Sequence, residues 1–162
     1  MNLKKLFELQ ENLDEHITKN HSLQGNKSLL SEKILALQVE LAELANETRC
    51  FKYWSIKSPS NKLTILEEYV DCLHFILTLG LEQNFKDLTL QPKNLNYSLT
   101  EQFLNLYIDI NDFMICSSKD HYITLFEDFL DLGINLGFSE KDVEKAYLKK
   151  NNINHDRQNN GY

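Results

Sequence analysis

Apolar residues recur at helical spacing in successive stretches of the chain, separated by short polar segments. Leu3, Leu6, Phe7, Leu13 and Ile17 share one face at a period of about 3.6 and predict a helix over 3–18. The polar run 20–28, with Gly25, reads as a connection. Ile34, Leu37, Leu41, Leu44 and Ala45 form the stripe of a second helix over 29–49. Pro59 among Ser and Asn marks a loop at 56–61. A third helix spans 62–79 and ends near Gly80.

A longer linker with Pro92 occupies 84–97. Ser98 and Glu101 have the form of a capping box that opens a fourth helix to about 115, with Phe103, Leu106, Tyr107, Ile110 and Met114 on one side. Residues 117–120 break the pattern. A fifth helix follows over 121–136, stopped by Gly137, and Ser139 caps a sixth over 140–150. Residues 151–162 are polar and read as a flexible C-terminal tail. No segment alternates with period two and no repeat is visible. The expected architecture is an all-α bundle of about six helices forming a single domain over 1–162.

Composition narrows the class. The chain has 162 residues, 42% hydrophobic and 25% charged, with five Gly and two Pro. That is enough for one core, and too few turn formers for a β-rich fold. Cys50, Cys72 and Cys116 make no CxxC pair and no even set, so a reduced cytoplasmic setting is expected. No signal peptide or membrane span is expected. The net charge of −7 argues against broad nucleic-acid binding. It leaves room for a polyphosphate ligand carried by a divalent cation.

The chemistry concentrates in acids. Glu40, Glu43 and Glu47 stand at i, i+3 and i+7 of the second helix, within a sector of roughly 60°. Glu68 and Asp71 form a second i, i+3 pair on the third helix. Helices joined by the intervening 24 residues can lie antiparallel with both pairs at one level. Such a set offers the oxygen ligands that Mg²⁺ takes. A solvated acidic face is the competing reading, since exposed acid pairs are common. Asp71 and His74 also form one DxxH step, but a di-iron bundle needs such a step on two helices, and no other His has an acid three residues before it.

These residues carry a resemblance. ALQVELAELANETRCFKYWS followed by EEYVDCLHFILTLG resembles the dimeric all-α dUTPase family, within the MazG-like nucleoside-triphosphate pyrophosphatases. Glu40, Glu43, Glu68 and Asp71 match that family's ExxE and ExxD signature. The resemblance implies a homodimeric, Mg²⁺-dependent hydrolase of dUTP, with one or several ions and Mn²⁺ as a substitute, yielding dUMP and pyrophosphate. LQENLD is similar to the motif that reaches the base. AYLKKNNINHDRQNNGY is similar to the C-terminal motif, with Lys150, Asn154 and Arg157 placed to hold phosphate and nucleotide. Trp54 and the His74–Phe75 pair match positions near the nucleoside. The stretch 84–137 carries no recognisable family residue.

Residue chemistry gives each position two readings. Gln10 and Asp14 interrupt the first apolar stripe, so they either bond within the core or contact a polar ligand such as the uracil edge. Where the family often has Asn, this chain has Asp14. Trp54 is either packed in the core or a wall for base and sugar. Phe75 shares the sector of Glu68 and Asp71 and would pack on deoxyribose or in the core. His74 would donate to a sugar hydroxyl or serve its own helix. Glu43 and Glu47 are the candidates for taking a proton from water. The tail 151–162 is either frayed or a substrate-closing lid that folds over phosphates through Lys150 and Arg157. The competing functions are a pyrophosphatase for another nucleotide, such as dCTP or a modified base, and an inactive helical interaction protein.

Overall fold

A computed structural model describes residues 1–21, 28–93 and 96–161. Among them are six helices: α1 (Leu3–Asn20), α2 (Leu30–Thr48), α3 (Lys62–Glu82), α4 (Leu99–Ile115), α5 (Lys119–Asn135) and α6 (Glu140–Asn159). No strand occurs among the described residues, so the all-α expectation holds. Most of the connection expected at 20–28 lies outside the described residues.

Every described helix except α2, which follows Leu29, starts at a capping side chain. Asn61 accepts from the backbone N–H groups of Leu63 and Thr64 at the head of α3. Ser98 with Glu101 opens α4 and Ser139 with Asp142 opens α6, both as reciprocal capping boxes. Each such cap satisfies donors that a helix start leaves free.

The most buried element is α3, which packs against α2, α1, α6 and α5. Twelve of its residues are buried, from Ile65 to Gly80, so it is apolar around most of its circumference. The core runs from Leu6 and Phe7 through Leu41, Leu44 and Leu73 to Phe126, Phe129 and Tyr147.

Gly80 does not end the third helix, which runs two residues further. It serves close packing. A Cβ at Gly80 would run into the Tyr122 hydroxyl, and that hydroxyl donates to the Ile76 carbonyl at 2.8 Å. The arrangement is reciprocal: a Cβ at Gly133 of α5 would meet the Tyr69 hydroxyl, which donates to Phe129 O at 3.2 Å. In both cases a buried tyrosine bonds the carbonyl four residues before a glycine, locking α3 to α5. The end of α5 does use a glycine, Gly137, at φ 77°.

Two other expectations are corrected. Met114 does not continue the buried stripe of α4, which passes through Phe103, Leu106, Ile110 and Phe113, while Met114 is exposed. More consequentially, residues 151–159 are not a flexible tail. They continue α6 without a break. Asn151 is buried, and the last turns dock on α1. His155 Nδ1 lies 3.0 Å from His16 Nδ1, and Asn20 Nδ2 donates to the Gln158 carbonyl at 2.9 Å. Polar contacts hold this segment, so hydrophobic periodicity does not reveal it.

The linker after α3 is anchored by acids of α5. Glu127 accepts from the Gln91 backbone N–H at 2.9 Å and Asp131 from that of Lys93 at 3.0 Å. Among the described residues no helix is long and apolar enough to cross a membrane.

Candidate active site

The bundle brings α1, α2, α3 and α6 around a cavity of about 430 Å³. Glu40 of α2 and Asp71 of α3 stand in its wall. Gln10 and Asp14 reach it from α1, His74 and Phe75 from α3, and Lys150, Asn154 and Arg157 from α6. Residues more than a hundred positions apart thus share one space.

Glu40, Glu68 and Asp71 each offer a carboxylate oxygen within 4.8 Å of the others. The i, i+3 step places Glu68 and Asp71 on one face of α3, and the antiparallel α2 presents Glu40 opposite. This crowding is costly for charge. Burial, then the charges of Asp71, Glu43 and Glu68, push the Glu40 carboxyl up to about 7. Burial also raises Glu68 and Asp71. Lys150 Nζ answers part of the charge, donating to Asp71 Oδ2 at 2.5 Å and holding that carboxyl lower than burial alone would. Three partly buried carboxylates beside one ammonium form a group that could hold a cation. The donors are all hard oxygen, which fits Mg²⁺ or Mn²⁺ rather than a soft metal.

Glu43 stands outside this group of three. It is exposed, yet close enough that its charge raises both Glu40 and Glu68. Glu47 lies one turn further on and its carboxylate is engaged by the Ser60 hydroxyl, while its carbonyl accepts the Ser60 N–H. That position ties the end of α2 to the loop leading into α3. His74 is no member of the acid group, in keeping with the single DxxH step.

Behind the acids sits a polar network. Gln10, 2% exposed, spends its whole amide on the protein. Its Nε2 donates to Asp14 Oδ1 at 2.8 Å and to Thr78 Oγ1 at 3.0 Å. Its Oε1 accepts from Tyr147 OH at 2.8 Å and pairs with His74 Nδ1 at 2.7 Å. Thr78 Oγ1 donates in turn to Asp14 at 3.1 Å. Burial raises Asp14, against the lowering effect of those two hydrogen bonds. Burial drives His74 down to about 3, so its ring is neutral at physiological pH. The ring stacks on Tyr147 with centroids 4.2 Å apart.

Trp54 is not brought to the cavity. It is 65% exposed and packs edge-on against Tyr53 and Phe51 in the loop after α2. Sequence reading also passed over Thr78, Lys33 and Tyr147. Thr78 was legible, being four residues after His74 and seven after Asp71 on the same helical face. Lys33 lines the cavity while pairing with Glu82 at 2.5 Å, and nothing in its local sequence distinguishes it. Tyr147 looks like any core aromatic until its hydroxyl partner is known.

A family model described as dUTPase matches residues 2–162. No curated protein matches the chain.

Proposed function

The chain belongs to the all-α dimeric dUTPase family, and from that premise we propose that it hydrolyses dUTP to dUMP and pyrophosphate in a divalent-metal-dependent reaction. One observation carries this reading: the convergence of Glu40, Glu68 and Asp71 within 4.8 Å, with Glu40 and Asp71 in the wall of a cavity that Lys150 and Arg157 of α6 also line. Acids alone repel a triphosphate. Acids that recruit a cation, with lysine and arginine opposite, accept one.

Glu40, Glu68 and Asp71 would hold Mg²⁺, with Glu43 beside them. When bound, the metal neutralises phosphate charge and lowers the pKa of coordinated water. The chain's own groups do the rest. Glu43, exposed and outside the tight group, takes the proton from the attacking water. Glu47 supports it by fixing the adjoining loop through Ser60. Lys150, Asn154 and Arg157 hold phosphate oxygens, Arg157 by forked hydrogen bonds. His74 and Phe75 face the nucleoside, with the Phe75 ring against the deoxyribose. Gln10 acts on the base from behind, through Asp14 and His74. Trp54 serves the nucleoside after the exposed loop 51–56 moves or meets a second copy of the chain. The single domain over 1–162 closes on its substrate through the segment 151–162, of which 151–159 are the end of α6 rather than a coil.

A homodimer fits the surface. Leu35 and Val39 of α2 and Leu104, Ile108 and Ile115 of α4 are exposed on two neighbouring helices, joined by a hydrogen bond from Tyr107 OH to Gln38 O at 3.2 Å. Apolar side chains in such a group favour a protein partner over water. The three cysteines are free thiols, in keeping with a cytoplasmic protein.

A second reading, turnover of dCTP or another amino-bearing nucleotide, is favoured by Asp14. With Gln10 spent internally, the Asp14 carboxylate is an acceptor near the base, and it takes a hydrogen from an exocyclic amine as readily as from uracil N3–H. Incubation with each nucleoside triphosphate, with and without Mg²⁺, followed by a pyrophosphate assay, separates the readings. Turnover confined to dUTP supports the first and turnover of dCTP the second. No turnover and no Mg²⁺-induced rise in melting temperature leaves an interaction protein.

A further inference from the structure

The hydrogen-bond network behind the acids has a direction, and its direction decides what the cavity presents to a ligand. Asp14 is the fixed end. An ionised carboxylate only accepts, so the Gln10 amide must turn its NH₂ toward Asp14 Oδ1, where the distance is 2.8 Å. The same NH₂ reaches Thr78 Oγ1, whose own hydrogen goes on to Asp14. The Gln10 carbonyl oxygen therefore faces the other way. There it takes one hydrogen from Tyr147 OH at 2.8 Å. Its second neighbour, His74 Nδ1 at 2.7 Å, must bring a hydrogen too, because two acceptors at that distance repel.

A neutral imidazole has one N–H. With that hydrogen committed to Nδ1, Nε2 carries a bare lone pair. Nε2 is buried and has no hydrogen-bond partner among the described residues, and His74 belongs to the cavity wall. A buried unsatisfied acceptor is destabilising and is tolerated where a ligand completes it.

We infer that Gln10 and Tyr147 are positioning residues that lock His74 as its Nδ1–H tautomer, so that its Nε2 accepts a hydrogen from the ligand rather than giving one. This rests on the nucleotide reading for the identity of the ligand, but not for the state of the ring. It reverses the simpler expectation that Gln10 reads the base and that His74 donates to the sugar. The ligand atom that meets Nε2 must be an N–H or O–H. A uracil N3–H and a sugar hydroxyl share that chemistry.

The test is long-range ¹H–¹⁵N spectroscopy of the histidine rings in the full chain, first without ligand and then with dUMP. The expected ligand-free spectrum shows His74 protonated at Nδ1 with a bare Nε2, and dUMP shifts the Nε2 resonance in the sense of an accepted hydrogen bond. N3-methyl-dUMP and 3′-deoxy-dUMP distinguish the two sources, since the analogue lacking the right hydrogen fails to produce the shift. Gln10→Met removes the lock and populates the Nε2–H tautomer. Tyr147→Phe keeps the stacked ring and weakens the lock, raising KM roughly tenfold, the worth of one hydrogen bond, with a smaller effect on kcat. An Nε2–H tautomer in the wild-type protein overturns the inference outright, whether or not the variants fold. An Nε2 resonance unmoved by bound dUMP overturns its ligand-facing half. An Nδ1–H tautomer with no binding of dUMP leaves the lock standing and refutes the nucleotide reading instead.

Discussion

Replacing Glu40 by Gln is expected to stabilise the protein without metal and to destroy its response to metal. The Glu40 carboxyl is held at about 7 instead of its ordinary 4.5, so above pH 7 the fold carries an ionised group that it disfavours. A displacement of that size corresponds to about 3.4 kcal/mol when fully expressed. Coulomb repulsion between two charges 4.8 Å apart gives about 3.5 kcal/mol at an effective dielectric of 20. Glu40 is only partly buried and solvent screens it, so roughly 1–2 kcal/mol is the realistic gain.

For a chain of this length that raises Tm by roughly 2–8 °C at pH 8. The sign follows from linkage. A raised carboxyl costs the fold nothing below its unfolded value, and the cost grows until pH passes the folded value. The advantage of Glu40→Gln therefore shrinks as pH falls from 8 toward 4.5. With Mg²⁺ at 100 times its dissociation constant, the wild type gains about 2.7 kcal/mol and the variant little. Thermal melts at pH 5.5 and 8, with EDTA or Mg²⁺, read all of this. A variant that melts lower at pH 8 in EDTA, or one that keeps the full Mg²⁺ response, would falsify the assignment of Glu40 to a crowded cation centre.

Three further outcomes are expected. Removing residues 151–162 lowers Tm as well as turnover, because the end of α6 is docked on α1, whereas Arg157→Ala lowers kcat/KM with little change in melting; equal melting of the truncated and full chains would contradict the docking. The His16–His155 contact at 3.0 Å needs one neutral ring, and burial followed by the His16 charge holds His155 below its ordinary 6.5; amide exchange across 152–159 should therefore quicken as pH falls from 7.5 to 5.5, and His155→Gln should flatten that dependence. Gly80→Ala drives a methyl into Tyr122 and should cost about 1–3 kcal/mol, visible as a lower urea midpoint with an unchanged slope.

Much of this molecule is legible from local chemistry. Caps at Asn61, Ser98 and Ser139 are short-range hydrogen bonds, so residue type and spacing determine where α3, α4 and α6 begin. The i, i+3 steps of Glu40–Glu43 and Glu68–Asp71 likewise place each pair on one helical face, and the family signature gives those pairs their meaning. Other features depend on what lies across the bundle. Gly80 reads as a helix stop along the chain, but its role is set by Tyr122 arriving from α5. The 151–159 segment has no apolar stripe, so only its polar contacts with α1 make it helix. Trp54 has the composition of a pocket wall, yet its loop carries it outward. Gln10 shows the division most plainly. The sequence determined that a polar amide stands within an apolar stripe and must be satisfied. Tertiary structure decided how, because its four partners come from α1, α3 and α6, and only their joint placement fixes which way the amide turns and which nitrogen of His74 holds the proton.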